Sequence, residues 1–347
     1  MKTLQPAELS TFHTFSIPTQ AHHLVVLDSA NELKSLRQQQ PSCPMLIGQG
    51  SNLLFVETRK APLMKFDFSA VCIKEHQNDY LIRAEAGKNW HEMVCELCER
   101  GIGGLENLAL IPGTVGACPV QNIGAYGVDV SQICQSVEVF DWASGHSFEL
   151  DFEQCEFAYR HSVFKTSKAE SWVIVAVNFK LTKSWQPQID YHGLAEQLDV
   201  TDPSPKDVMK AVVTVRQSKL PNPEVLGNAG SFFKNPTVSM QLAQHLKNQY
   251  PTMPQFQNQR GVKIPAAWLI DHRGWKGRAV GGASVHAKQA LVIVNHGQAK
   301  ASDVVQLAHD IQQDILTAFG ILLTPEVRFV GQEKELTLEQ AYAQSRV

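Results

Sequence analysis

The sequence predicts an α+β protein with mixed sheets, on three observations. Apolar runs and helical stretches alternate in the N-terminal third, but without the even rhythm of a doubly wound sheet. The segment GIGGLENLALIPGTVGACPVQNIGAYG, ending at Gly127, is rich in Gly and Pro and weak in periodicity, and a loop this long in a compact protein is usually functional. Near the C-terminus, Val304, Leu307, Ile311, Ile315 and Phe319 recur at helical spacing, with Ser302 predicted as the cap and Gly320 as the stop.

In chain order, HHLVVLDS reads as a strand, SANELKSLRQQ as a helix, and PMLIGQGSNLLF as a strand, a tight Gly turn and a second strand. YLIRAEAG alternates apolar and polar residues like a half-buried strand. In NWHEMVCELCERG, Trp90, Val94, Leu97 and Cys98 form one helical stripe, with Asn89 and Glu92 as the starting cap and Gly101 as the stop. After the long loop come strands SVEVFDW and SWVIVAVNFKL. The polar stretch TDPSPKD then leads into a helix-like VMKAVVTVRQSKLP. The last part holds a helix in VSMQLAQHLKNQY, a strand in ALVIVNHG, the long capped helix and a final strand in ILLTPEVRFVG.

A chain of 347 residues, 44% hydrophobic and 19% charged, is long enough for two or three domains. A net charge of -3 argues against nucleic-acid and membrane-surface binding. No apolar stretch reaches bilayer-spanning length, and the N-terminus lacks a signal-peptide core, which predicts a cytoplasmic protein. The seven cysteines, Cys43, Cys72, Cys95, Cys98, Cys118, Cys134 and Cys155, are odd in number and scattered, unlike a disulfide framework. Cys95 and Cys98 have C-x-x-C spacing, but they sit in the helical stripe and no second pair lies at zinc-site spacing, so helix packing is the favoured reading. Thirteen histidines show no H-E-x-x-H pattern, and no metal is expected.

Two loops carry candidate chemistry. Gly48, Gln49, Gly50, Ser51 and Asn52 join two apolar strands; glycines let backbone N–H groups approach an anion, though a plain turn would use the same residues. Pro112, Gly113, Thr114, Val115, Gly116 and Ala117 form a compact glycine turn, followed by Gln121, Asn122, Gly124, Tyr126 and Gly127. Neither loop is a Walker loop or the dinucleotide G-x-G-x-x-G fingerprint. If the two converge, they can hold a pyrophosphate without a helix terminus.

With these loops in place, the ordered motifs IGQGSNLL, ENLALIPGTVGACPVQNIGAYG, YRHSVFK, GNAGSFFKNP, WLID, GGASVH and PEVRF resemble the UDP-N-acetylenolpyruvoylglucosamine reductase family over nearly the whole chain. The resemblance implies an FAD-binding fold of the vanillyl-alcohol-oxidase-like type, two α+β subdomains sandwiching noncovalent FAD, plus a third α+β substrate-binding domain. The expected division is 1–68 with 326–347 returning to it, 69–215 and 216–325. Both loops, together with Arg216 and Arg328, are implied FAD contacts. DYHGLAEQLD resembles the lid of the longer-loop type, with Tyr191 closing over substrate. His161 departs from the family pattern, standing where an acidic residue is frequent.

The resemblance further implies that NADPH reduces the FAD, and that an enolpyruvyl ether on a UDP-sugar then receives the hydride. Charge develops on the substrate carboxylate and requires preorganised cationic or hydrogen-bonding groups. Arg160 is the implied carboxylate fork, and Glu326, expected in protonated form, a further hydrogen-bond donor. Ser231 is the implied proton donor. Lys219, Lys234, Asn235, Tyr126 and Tyr191 are implied substrate contacts, and the protein is expected to be a monomer. Two alternatives remain at this stage: another FAD-dependent oxidase or dehydrogenase of the same fold, and a non-catalytic UDP-sugar-binding module.

Overall fold

The structure is a computed structural model and describes residues 1–191, 193–198, 200–258 and 260–346. The chain forms two compact units, both discontinuous in sequence. The first comprises Met1–Gln5, His23–Gln49 and Pro62–Ser218; the second comprises Pro6–His22, Gly50–Ala61 and Lys219–Val347.

In the first unit, Lys2–Leu4, Leu24–Leu27, Leu63–Phe66 and Met45–Leu46 form a mixed sheet in that spatial order, antiparallel at the first pairing and parallel at the others. Helix Glu32–Gln39 contributes Leu33 and Leu36 to the core. An antiparallel sheet follows in the order Ser147–Asp151, Cys134–Asp141, Trp172–Thr182, Asp79–Glu85, Val71–Glu75. Its central strand buries Val173 through Val177 without a break. That run explains why this strand is continuously apolar, whereas edge strand Val71–Glu75 alternates.

Helix Trp90–Glu99 is too short to be stable alone. Burial of Trp90, Met93, Val94, Leu97 and Cys98 stabilises it, each large-to-small change there costing about 2–5 kcal/mol. Asn89 caps it by accepting a hydrogen bond from the Glu92 amide, and Gly101 follows with φ of 72°. Both were expected from sequence.

The second unit contains an antiparallel sheet ordered Gly227–Ser231, Val292–Asn295, Ala283–Val285, Ala279–Val280. A second sheet places Arg328–Val330 between Glu335–Leu336 and Leu53–Phe55, the latter parallel. Its longest helix, Ala301–Phe319, turns Val304, Leu307, Ile311, Ile315 and Phe319 into the core and ends at left-handed Gly320.

Two sequence expectations are corrected. Ser302 is not the cap of that helix: the start lies at Lys300, whose amide donates to Asp303, and Asp303 also accepts from the Gly282 amide. A tertiary contact thus moved the boundary. PEVRFVG is not the last element, since Glu335–Leu336 and helix Leu338–Gln344 follow. The two strands around Gly48–Asn52 do not pair with each other; Met45–Leu46 joins the first unit and Leu53–Phe55 the second.

Among the described residues, no helix is long and apolar enough to cross a membrane. Among the described residues, no group of three or more His, Cys, Asp or Glu could hold a metal ion.

Candidate active site

In the first unit the two glycine loops converge. The Gln49 side-chain carbonyl accepts a hydrogen bond of 2.8 Å from the Gly113 amide. Gly48 lies so close to Thr114 that a β-carbon there would sit 2.8 Å from Thr114 Oγ1. The second loop is fixed to the chain that enters helix Trp90–Glu99. The Trp90 amide donates to Gly113, the Val115 amide to Lys88 and the Gly116 amide to Ala86. The Trp90 indole N–H donates to the Leu108 carbonyl at 2.9 Å, and the Leu110 amide donates to His91 Nδ1 at 3.0 Å. Leu110 itself is left-handed, with φ of 58°. A turn fixed along its length, with Gly113 and Gly116 both buried, is the result.

Two desolvated cations belong to the same unit. The Lys65 ammonium donates to the Gly48 carbonyl at 3.2 Å, and burial pushes its pKa down. Arg216, on helix Pro205–Lys219, has a buried Nε with no hydrogen-bond partner, and burial lowers its pKa as well. Desolvated cations of this kind favour an anion as partner. Arg216 also interacts electrostatically with Tyr126, whose hydroxyl pKa is raised by burial.

The lid candidate is tied to the same loop. Buried Asn107 donates through Nδ2 to the Tyr126 carbonyl at 2.9 Å and to the Gln188 carbonyl at 2.8 Å. Beside it, buried Glu106 accepts from the Trp185 indole at 2.7 Å and from the Gly104 amide at 2.5 Å. The half-exposed Tyr191 ring then meets Tyr126 edge to face, with centroids 5.0 Å apart.

Arg160 lies in a tight turn closed by paired hydrogen bonds between Ala158 and His161, and it adopts a φ of 52°. The turn packs on the Asn122 region: Ser162 Oγ donates to the Val120 carbonyl at 2.7 Å and the Arg160 guanidinium to the Gly124 carbonyl at 2.9 Å. The fork is therefore held by backbone carbonyls, while His161 is exposed at the turn. Asn122 supports the turn from within, accepting from the Ser131 amide at 2.9 Å.

In the second unit, Ser231 closes strand Gly227–Ser231 and is exposed. A register shift before it and the left-handed Gly230, with φ of 68°, turn the chain there. Buried Phe232 and Phe233 anchor the next two positions. The Glu326 amide donates to the Phe232 carbonyl at 2.8 Å, and the Lys234 amide to Thr324 at 2.9 Å, so PEVRF lies alongside GSFFKN. Asn52 locks this pairing: its side chain donates to the Glu326 carbonyl at 3.0 Å, and its own carbonyl accepts from the Arg328 amide at 3.0 Å. The Asn235 side chain accepts from the Ala266 amide at 2.9 Å. Arg328 is paired with Glu335 through two guanidinium nitrogens.

Within each unit, residues distant in sequence are thus brought together. Gly48, Gln49, Pro112–Ala117, Gln121, Asn122, Gly124, Tyr126, Arg160, Tyr191 and Arg216 belong to the first unit. Gly50, Ser51, Asn52, Lys219, Ser231, Lys234, Asn235, Glu326 and Arg328 belong to the second. Sequence reasoning overlooked Lys65, His91 and Asn107. Each gains its place from a partner on another element, which periodicity does not reveal. The ENLAL run in the quoted loop motif was the available signal for Asn107.

Residues 27–151 match a family model described as an FAD binding domain, and residues 222–330 match the C-terminal domain of UDP-N-acetylenolpyruvoylglucosamine reductase. A crystal structure of UDP-N-acetylenolpyruvylglucosamine reductase from Thermus caldophilus aligns with a TM-score of 0.69 at 23% identity, covering 95% of this chain and 99% of that one, which shows the shared fold. The protein is therefore an α+β flavoprotein with an FAD-binding domain. UDP-N-acetylenolpyruvoylglucosamine reductase of Photobacterium profundum is 44% identical over 99% of this chain and 100% of its own length. That of Escherichia coli K12 is 42% identical over 95% of this chain and 97% of its own. The chain belongs to the UDP-N-acetylenolpyruvoylglucosamine reductase family.

The first unit fits an FAD diphosphate on its own evidence. The buried Arg216 Nε lacks a partner, and the Lys65 ammonium is desolvated beside the Gly48 carbonyl, so two cations there suit an anionic group.

Proposed function

We propose that this protein reduces the enolpyruvyl ether of UDP-N-acetylglucosamine enolpyruvate to UDP-N-acetylmuramate, with NADPH as reductant and noncovalent FAD, in peptidoglycan precursor synthesis. Family membership over the full chain supports the reading. The observation that carries it at residue level is the 2.8 Å hydrogen bond from the Glu326 amide to the Phe232 carbonyl, which sets the segment bearing the Glu326 carboxyl beside the end of the strand that bears Ser231.

When bound, FAD supplies the hydride, relayed from NADPH, that adds to the terminal carbon of the substrate olefin. The Gly48–Asn52 and Pro112–Gly124 loops, with Arg216 and Lys65, would hold its diphosphate, and Arg328 borders the flavin. Arg160, already fixed by loop carbonyls, is preorganised to receive the charge that grows on the substrate carboxylate. Glu326 acts there as a hydrogen-bond donor. Ser231, exposed at a strand end next to flexible-backbone Gly230, places its Oγ proton for transfer to the carbon adjacent to the carboxylate. Lys219, Lys234 and Asn235 take the UDP-sugar, and Tyr126 with Tyr191 covers it and excludes water. The domain division 1–68 with 326–347, 69–215 and 216–325 follows these roles. The reading extends to a monomer working in the cytoplasm, where both small-molecule substrates are made; light scattering tests the former.

Stopped-flow mixing tests the roles. Ser231→Ala should keep near-normal reduction by NADPH and lose several orders of magnitude in reoxidation by the enolpyruvyl sugar, since the proton is needed only in the second half. Equal loss in both halves would overturn the assignment. Glu326→Gln should retain more activity than Glu326→Asp, because a donor at the right reach is what the site needs.

A further inference from the structure

We propose that His91 is a positioning residue for the flavin-binding loop: its unprotonated Nδ1 holds the Leu110 amide and with it the left-handed turn from which Pro112–Gly116 springs. This rests on the proposed role of that loop in holding FAD.

A non-glycine residue with φ of 58° is uncommon, and a branched side chain such as Leu110 takes it only where neighbours enforce it. The enforcing contact is the 3.0 Å hydrogen bond from the Leu110 amide to His91 Nδ1. An amide can only donate, so Nδ1 must carry the lone pair and not a proton. The two residues on either side of Leu110 in this loop are fixed as well, Leu108 through the Trp90 indole and Gly113 through the Trp90 amide. His91 therefore supplies the middle of three restraints that one end of helix Trp90–Glu99 places on the loop. Without it, the Leu110 amide loses the acceptor that holds it in the left-handed turn.

Six charged or titratable groups act on this imidazole or on the groups that do. Arg216, from helix Pro205–Lys219, repels a charged ring, and Glu92 on its own helix attracts one. Cys95 Sγ lies 3.6 Å from Nδ1, and its thiol pKa is raised by burial and then by Glu99, Glu92 and Glu96, so it stays protonated. Tyr126 interacts with Arg216 from the far side. Burial first, and Arg216 second, push the His91 pKa below 6.5. The neutral, accepting form is thus the resident one at neutral pH. Protonation would remove the acceptor, orphan the Leu110 amide and set a second cation beside Arg216. FAD affinity should therefore be flat at and above neutral pH and fall only in acid, where the imidazole takes up its proton.

The test measures the FAD dissociation constant of the full-length FAD-loaded protein by recovery of flavin fluorescence on serial dilution, from pH 5.5 to 8.5. His91→Ala should weaken FAD at pH 8 by roughly 5- to 150-fold, the range for a buried donor left unpaired. His91→Gln, whose amide oxygen accepts without titrating, should restore most of the affinity and abolish the fall at low pH. Amide exchange at Leu110 should speed up in His91→Ala and return towards wild type in His91→Gln. A fall that persists in His91→Gln, or Leu110 exchange unchanged in His91→Ala, would each overturn the proposal. Gly116→Ala separates the two levels. If it too leaves FAD affinity unchanged, the loop itself is misassigned; if it weakens FAD while both His91 variants match wild type, only the role of His91 falls.

Discussion

Substituting Gly116 by alanine adds a single methyl group at the point where the second glycine loop touches the preceding strand. Its β-carbon would stand 2.6 Å from Ala86 Cβ and 3.2 Å from both the Cα and the carbonyl oxygen of Ala86. Carbon atoms pack at about 3.5 Å or more, so the loop must withdraw by roughly 1 Å. The atoms in the way belong to a buried alanine and its backbone, which cannot swing aside. Withdrawal stretches the hydrogen bond from the Gly116 amide to the Ala86 carbonyl, now 2.9 Å, and drags on the neighbouring one from Val115 to Lys88. Overpacking of this kind costs about 1–3 kcal/mol. If that strain is relieved by moving the loop, the same energy appears as weaker FAD binding, about 5- to 150-fold. Flavin fluorescence on dilution reads the affinity, and thermal melting of the flavin-free protein reads how much of the strain stays in the fold. An alanine variant that binds FAD within twofold of wild type and melts at the same temperature would refute the steric argument.

Three further outcomes follow from the same contacts. Arg216→Met removes a buried, partly unpaired cation; the flavin-free protein should melt higher, by about 2–4 °C per kcal/mol recovered, while FAD binding weakens, and a lower melting temperature would contradict the burial argument. Asn107→Ala leaves the Tyr126 and Gln188 carbonyls without their donor, so KM for the UDP-sugar should rise while reduction by NADPH is unchanged; a loss confined to flavin reduction would show that Asn107 does not act through the tyrosine pair. Alkylation of the native protein at pH 8, mapped by peptide mass, should mark Cys72, which is exposed, and spare Cys43, Cys134 and Cys155, whose thiols burial pushes up to about 12; rapid labelling of those three would mean the first unit opens readily.

Elements with a strong period and clear punctuation were legible in the sequence. Helix Trp90–Glu99 has its apolar stripe, its Asn89 cap and Gly101 where the pattern places them, and Gly320 ends the long helix as expected. Strand Gly227–Ser231 was hidden, because its sequence GNAGS has none of the branched or aromatic residues that mark strands; its pairing with Val292–Asn295 creates it. The start of Ala301–Phe319 was misplaced because Asp303 answers to Gly282, a residue remote in sequence. The loops were readable as ligand loops from composition and motif. Their convergence was not, since it depends on Gln49 reaching Gly113. For the same reason His91 read as one more polar residue on a helix.

The parallel pairing of Leu53–Phe55 with Arg328–Val330 has a consequence for biosynthesis. The earlier strand leaves the ribosome with Leu54 bare, although that side chain is fully buried in the finished protein. At bacterial elongation speeds of about 5–20 residues per second, its partner is not made for roughly 15–50 s. Throughout that interval the nascent chain exposes an apolar edge with unsatisfied amides, the kind of surface that chaperones shield and that aggregates when crowded. Loss of the last few dozen codons would leave that edge open permanently, so nonsense mutations late in the gene should yield insoluble product and not a shortened, partly active enzyme.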